Sequence, residues 1–207
     1  MNEALLKSHP QVAILFYNLG NSYFRMGALG PAILAYERAK LFQPRDWDIL
    51  YNLGHVRSLL EYRVEDKRNW YLKAFEEGLN AFTEKEVIFS VFVFYFLLMA
   101  SWAWAVFFRK GELWGWKRKL LLTFTLVFVA LMAAKNVQAH WLRGAIVTSP
   151  EAQIRYGPSD SDQLAFRLKE GLKLYVLDHR DEWSRVFLTN GESGWVRNDQ
   201  IEEFRPS

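Results

Sequence analysis

The chain has 207 residues, a formal net charge of +3 and no cysteine, so disulfides and thiolate metal sites are excluded and the redox compartment stays open. So small a charge, with no basic residues gathered on a recognisable motif, gives no footing for nucleic-acid binding. The mean hydropathy of −0.10 looks soluble, but it averages a charge-rich sequence with a stretch from Val87 to Phe108 that has no charged side chain.

The first ten residues, from Met1 to Pro10, show no basic segment followed by an apolar one, so no cleavable signal peptide is visible. Beyond them, Phe16, Leu19, Gly20 and Tyr23 are followed by Ala32, Tyr36, Ala39 and Pro44. This pattern resembles the tetratricopeptide repeat. Its physics is consistent: Gly20 and Ala32 let two antiparallel helices approach closely, and Ala39 gives the same clearance to a third. Gly27 and Gly30-Pro31 make the turn, Pro31 suits a first helical position, and Pro44 ends the second helix. Thirty-four residues on, Leu50, Asn52, Leu53 and Gly54 repeat the first-helix pattern. Arg57 then stands where the repeat has Tyr, and Asp66 where it has a small Ala. Residues 1–80 therefore read as a helical region with a clear repeat over 13–46 and a degenerate one over 47–80, whose back helix runs from about Val64 to Asn80. Pro10 occupies the repeat-ending position, so residues 1–9 look like the tail of an earlier repeat and imply an upstream segment. In such an array the first helix of each pair lines a groove, which here would carry Tyr17, Asn18, Asn21, Phe24, Arg25, Tyr51, Asn52 and His55. Asn side chains there can bond an extended peptide backbone and Arg25 can meet a carboxylate; the same side chains can also do no more than solvate a helix face.

Crossing about 30 Å of hydrocarbon takes roughly 20 helical residues. Val87–Phe108 supplies 22, broken by no polar stripe. A second span is expected over 119–138: Leu120–Ala134 is uncharged, Trp114, Trp116 and Trp141 flank it as an interfacial belt, and Lys135 can snorkel. The loop 109–119 between them carries Arg109, Lys110, Lys117, Arg118 and Lys119, five basic residues in eleven positions. By the positive-inside rule this loop is cytoplasmic. Both termini then face the periplasm of a two-pass protein in the bacterial inner membrane.

After Gly144 the periodicity turns to alternation. Short strands are expected over Ala145–Thr148, Ala152–Tyr156, Gln163–Leu168, Leu172–Asp178, Trp183–Thr189 and Gly194–Arg197, with Asn190-Gly191 as a hairpin signal. Arg155-Tyr156-Gly157-Pro158-Ser159, Gly171, Glu182-Trp183 and Gly194-Trp195-Val196 make residues 145–204 resemble a bacterial SH3-like domain. Tyr156 departs from the small residue common at its place. Tyr156 and Trp183 are the candidate ligand groove, with Trp183 equally open to a place in the core, while Trp195 reads as barrel core.

No catalytic constellation stands out. With no Cys and four His, namely His9, His55, His140 and His179, there is no HExxH and no pair at zinc-ligand spacing. Gly191-Glu192-Ser193-Gly194-Trp195 fails the GxSxG elbow, and Asp160-Ser161-Asp162 lacks the rest of a calcium loop. Asp178-His179 near Ser184 can be drawn as a triad but reads as solvated loop. The expectation is a chain of mixed, multi-domain fold: a helical repeat, two transmembrane helices and a small all-β barrel, with no enzymatic activity, metal or cofactor. That order of parts is similar to the BatE branch of the Bacteroides aerotolerance proteins. The resemblance implies a scaffold in envelope stress tolerance, working with von Willebrand A-type membrane proteins and a MoxR-type ATPase. Two other functions stay open on the sequence: a cell-wall sensor, binding peptidoglycan through the barrel, and a subunit that acts mainly through its spans.

Overall fold

The computed structural model describes residues 10–62, 64–108, 115–141 and 143–204. The helices are α1 (Pro10–Arg25), α2 (Leu29–Phe42), α3 (Trp47–Ser58), α4 (Trp70–Ala81), α5 (Glu84–Phe108) and α6 (Gly115–Trp141). The strands that follow are β1 (Arg143–Val147), β2 (Glu151–Arg155), β3 (Leu164–Lys169), β4 (Lys173–Arg180), β5 (Trp183–Phe187), β6 (Ser193–Arg197) and β7 (Ile201–Glu203).

Helices α1 and α2 form a tight hairpin. A Cβ at Gly20 would stand 2.7 Å from the Tyr36 ring, so glycine is what lets α1 lie on α2. Ala32 and Ala39 are fully buried along α2, and α3 packs on it in turn. Asp46 caps α3, its Oδ1 accepting from the backbone N–H groups of Asp48 at 3.0 Å and Ile49 at 3.2 Å. The expected back helix from Val64 to Asn80 differs from what forms. Helix α4 starts only at Trp70, and residues 64–69 are non-helical. One cause is tertiary and one local: Val64 packs against the C-terminal core, and Asp66 turns back to bind the backbone N–H and guanidinium of Arg68. Among the described residues of 10–81 there is thus one helical hairpin with a third helix packed on it, and no second repeat hairpin.

Thr83 and Glu86 start α5 as a capping box. The Thr83 N–H donates to the Glu86 carboxylate at 2.9 Å, and the Glu86 N–H donates to Thr83 Oγ1 at 3.3 Å. Within α5 and α6, Lys85–Trp104 and Lys119–Val137 each reach a mean hydropathy of 2.0 and are long and apolar enough to cross a membrane. Phe94 of α5 stacks between Phe124 and Phe128 of α6, at 5.4 and 5.1 Å between centroids. Arg109 and Lys110 lie outside the described residues, and Lys117, Arg118 and Lys119 belong to the beginning of α6.

The seven strands form one antiparallel sheet in the order β3-β2-β6-β5-β4-β1-β7. Every strand contributes to one core, including Val147, Ile154, Leu168, Leu174, Val186 and Val196; the sheet must therefore roll around it. Asn190-Gly191 falls in the β5–β6 hairpin, where the Gly191 N–H donates to the Leu188 carbonyl at 3.0 Å. Strand β7 was not foreseen. It pairs with β1, Ile201 opposite Val147.

Strand β1 is buried on both faces. Ala145 and Val147 point into the sheet core, while Ile146 joins Phe204 and the buried Ala32, Ile33, Tyr36, Leu53 and Val56 of α2 and α3 in a second core. Helix α2 comes so close that a Cβ at Gly30 would lie 2.8 Å from the Val147 carbonyl oxygen. The helical hairpin and the sheet are thereby one folded unit. Ile146→Ala, at a fully buried site, is expected to cost about 2–5 kcal/mol. Amide exchange should show protection falling in α2 and in β4 together, whereas independent modules would lose it in one alone.

Candidate functional site

Three places on this unit carry polar or aromatic groups in a non-random arrangement. The first is the α1–α3 face. Tyr36 donates its hydroxyl proton to Asn21 Oδ1 at 2.6 Å, and Asn52 Nδ2 reaches Tyr17 Oη at 3.0 Å and Asn21 Oδ1 at 3.1 Å. Tyr17, Asn21 and Asn52 are thus joined in a half-buried network that ties α1 to α3. Asn18, Arg25, Tyr51 and His55 remain exposed. Phe24 meets His55 edge-on at 5.7 Å, and Tyr51 lies parallel to His55 at 6.5 Å. Trp47, which the sequence reading passed over, extends this row, 6.3 Å from Tyr51. Its signal was the spacing: Trp47, Tyr51 and His55 recur every four residues on one helix face. A shallow hollow of about 370 Å³ lies against Trp47, Leu50, Tyr51, Gly54 and His55.

The second place is a cleft of about 830 Å³ between α2, α3, α4 and β4. The sequence offered no sign of it, because its residues come from distant segments. Arg57 ion-pairs with the buried Glu37. Burial pushes the Glu37 carboxyl up, but Lys173, Arg57 and Lys40 outweigh that and hold it below the usual carboxylate range. Glu76 of α4 receives Arg68 Nη1 at 2.6 Å and the Tyr175 hydroxyl at 2.9 Å, with Lys173 Nζ at 3.9 Å. Burial raises the Glu76 carboxyl, and Lys173, Arg68 and Tyr175 together bring it below its ordinary value. Asp66 is lowered chiefly by its hydrogen bond from Arg68. Lys73 closes the loop, donating to the Asp66 carbonyl at 2.8 Å. Acids and bases in the cleft are largely matched to each other, so what it does chemically is latch helices to sheet.

The third place is the outer part of the sheet. Trp183 and Trp195 are each 8% exposed, and neither belongs to the central apolar core. Arg197 lies over the Trp183 ring at 5.8 Å, and Arg180 over Trp195 at 5.2 Å. Tyr156 stands open in the loop after β2, so the structure does not bring it and Trp183 together as one exposed surface. Ser184 Oγ is 2.9 Å from His179 Nδ1, and His179 Nε2 is 2.9 Å from Glu203 Oε1. Asp178 instead accepts from the His179 backbone N–H at 3.0 Å. Ser184 is 1% exposed and directs its proton to Asn198 Oδ1 at 2.6 Å, which is the reverse of an activated nucleophile.

Glu37, Asp66 and Glu76 all have lowered carboxyl pKa values in the folded state. Such groups contribute stability that is complete above the unfolded value and is lost as pH falls through the folded one. Glu37→Gln is expected to cost about 3 kcal/mol near neutral pH, with the deficit shrinking below about pH 4 as the parent protonates. Urea midpoints of both proteins across that range check this; a deficit constant with pH would show that the charge of Glu37 contributes nothing.

The model of the bacterial SH3 domain family matches residues 148–203, which takes in β2 to β7 and stops just short of β1. Comparison with curated proteins finds no match. The C-terminal sheet thus carries a bacterial SH3 domain, with β1 added to it as the strand that the helices cover.

Proposed function

We propose that the protein is a non-enzymatic scaffold anchored in the bacterial inner membrane, holding partner proteins beside the bilayer. The observation that carries this reading is the double burial of β1, which fuses a helical hairpin and a bacterial SH3 domain into one platform next to two apolar helices. Such SH3 domains serve in protein or peptidoglycan binding. Helix α3, packed on a hairpin with tetratricopeptide-like spacing, leaves the row of Trp47, Tyr51 and His55 open to a partner. The likeness in part order to the BatE branch of the aerotolerance proteins makes von Willebrand A-type membrane proteins and a MoxR-type ATPase complex the partners to look for.

Orientation follows from the basic loop 109–119, read as cytoplasmic, with both folded parts in the periplasm. Reporter fusions at Ser207 and within that loop test it: a periplasm-active signal at the first and a cytoplasm-active signal at the second are expected, and the opposite signs overturn the placement. A photo-crosslinker in place of Tyr51 in the full chain should capture a von Willebrand A-type membrane protein in cells. It should lose that product when Arg25→Glu reverses the charge that the sequence reading assigns to the same groove; crosslinks unaffected by that change would remove the groove from the reading.

The second reading is a cell-wall sensor, favoured by the SH3 match and by the open Tyr156. Trp183→Ala and Tyr156→Ala in the solubilised full chain are its test. Loss of co-sedimentation with purified peptidoglycan in both variants supports it, and no co-sedimentation of the parent discards it.

A further inference from the structure

Helix α4 is divided into two faces that the rest of the molecule treats differently. Lys73, Glu76, Glu77 and Asn80 recur at helical spacing and line the charged cleft. Glu76 is held there by Arg68 and by the Tyr175 hydroxyl, so this face cannot roll away from the sheet. The opposite face is apolar. Tyr71, Leu72 and Phe75 are 54%, 46% and 55% exposed, and Phe82 just beyond the helix is 45% exposed. Three large apolar side chains left open on one face of a short helix, with a fourth just past its end, are a feature to be accounted for.

Position supplies the occupant. Only Phe82 and Thr83 separate α4 from α5, and Phe82 is extended, with φ −106° and ψ 141°. Two consecutive helices broken by an extended residue change direction at the point where a membrane span starts. Helix α4 also packs against α6, the other apolar helix. The open face therefore sits at the level where both spans leave the hydrocarbon. A helix with one charged and one aromatic face at that depth meets the physical description of an interfacial helix.

We propose that α4 lies in the membrane interface, with Tyr71, Leu72, Phe75 and Phe82 inserted at the boundary of headgroups and acyl chains, and that a lipid surface is what covers this face. The folded unit is then held against the bilayer at a third point besides the two spans, with the charged cleft opening at headgroup level. This rests on the reading of α5 and α6 as spans.

The natural absence of cysteine permits single environment-sensitive labels in the full chain, introduced by Phe75→Cys, Glu77→Cys or Phe96→Cys at exposed positions. Each protein is reconstituted in vesicles of phosphatidylcholine and phosphatidylglycerol carrying a nitroxide either near the headgroup or deep in the acyl chain. The Phe75→Cys label is expected to be quenched several-fold more by the shallow nitroxide than the Glu77→Cys label, and to be shielded from aqueous iodide. Quenching by iodide overturns the proposal, because the face is then in water. Quenching by neither overturns it too, because protein then covers the face. The Phe96→Cys label separates the two readings: if the deep nitroxide quenches it and the Phe75→Cys label stays dark to lipid, only the placement of α4 fails. If the Phe96→Cys label is also blind to lipid, the membrane reading itself falls and takes the proposal with it.

Discussion

Strand β1 has no face left for solvent. An antiparallel strand ordinarily alternates between core and water, but Ala145 and Val147 go to the SH3 core while Ile146 goes to the helical hairpin. Much of the rest follows from that sandwich. Residues on α2 and residues beyond β6 come into contact across a sequence separation of 164 in the Arg38–Glu202 ion pair, with both apolar helices lying between them in the chain. If those helices span a bilayer, the contact is possible only when the chain crosses an even number of times between α2 and β1. Two spans satisfy this, and a single one would place the two halves of the core on opposite sides. The packing thus constrains membrane parity independently of any charge rule, without saying which side is which. It also sets an order of assembly. The α1–α2 hairpin is local and can form early, whereas the α2–β1 contact must wait for both apolar helices and the sheet, a closure of high sequence separation.

The charged cleft makes the docking selective. Burying a carboxylate such as Glu37 is a poor source of stability, because desolvation offsets most of what Arg57 and Lys173 return. Its effect on alternatives is larger. Any arrangement that buries Glu37 away from those cations leaves an uncompensated charge, which costs several kcal/mol. The apolar contacts of Ile33, Ile146 and Phe204 are tolerant of small slips; the ion pairs around Glu37, Asp66 and Glu76 are not. Together they fix one register of helices on sheet, and the same groups hold the polar face of α4 in place.

What the sequence disclosed depended on how local the cause was. The long uncharged runs, the turn at Asn190-Gly191 and the SH3-like spacing of Gly157-Pro158, Gly171 and Gly194-Trp195-Val196 are local patterns, and each corresponds to a helix, hairpin or strand in the structure. Strand β7 was missed because three residues, Ile201 to Glu203, give too short a run for any periodicity. The double burial of β1 had a faint signal: Gly144-Ala145-Ile146-Val147 is apolar without interruption, the mark of a strand covered on both sides. Tetratricopeptide spacing extended past Ser58 predicts a second hairpin that does not form. There Val64 is drawn to the sheet core, a tertiary partner no repeat pattern encodes, and Asp66 turns back on Arg68 two residues along. In the groove, spacing alone placed Asn21 and Asn52 on one face, but it could not reveal that they bind each other and two tyrosines.

The SH3 domain presents the reverse case, in which a partly closed surface is cheap to open. Trp183 is covered by Arg197, whose guanidinium also meets Asp160 at 3.0 Å and Glu182 at 3.0 Å. Both carboxylates are largely exposed, and solvent-exposed pairs of this kind contribute about 0–1 kcal/mol each. The cation–π contact adds about 0.5–1 kcal/mol at a partly exposed site. Swinging Arg197 aside therefore costs little compared with what a ligand gains by stacking on an indole, and the same holds for Arg180 above Trp195. A ligand carrying its own cation could replace either arginine over its ring, and an acidic one could draw Arg197 away from Asp160 and Glu182. Rigidity in this protein is concentrated where helices meet sheet, and the aromatic surface of the SH3 domain lies under side chains that hold it loosely.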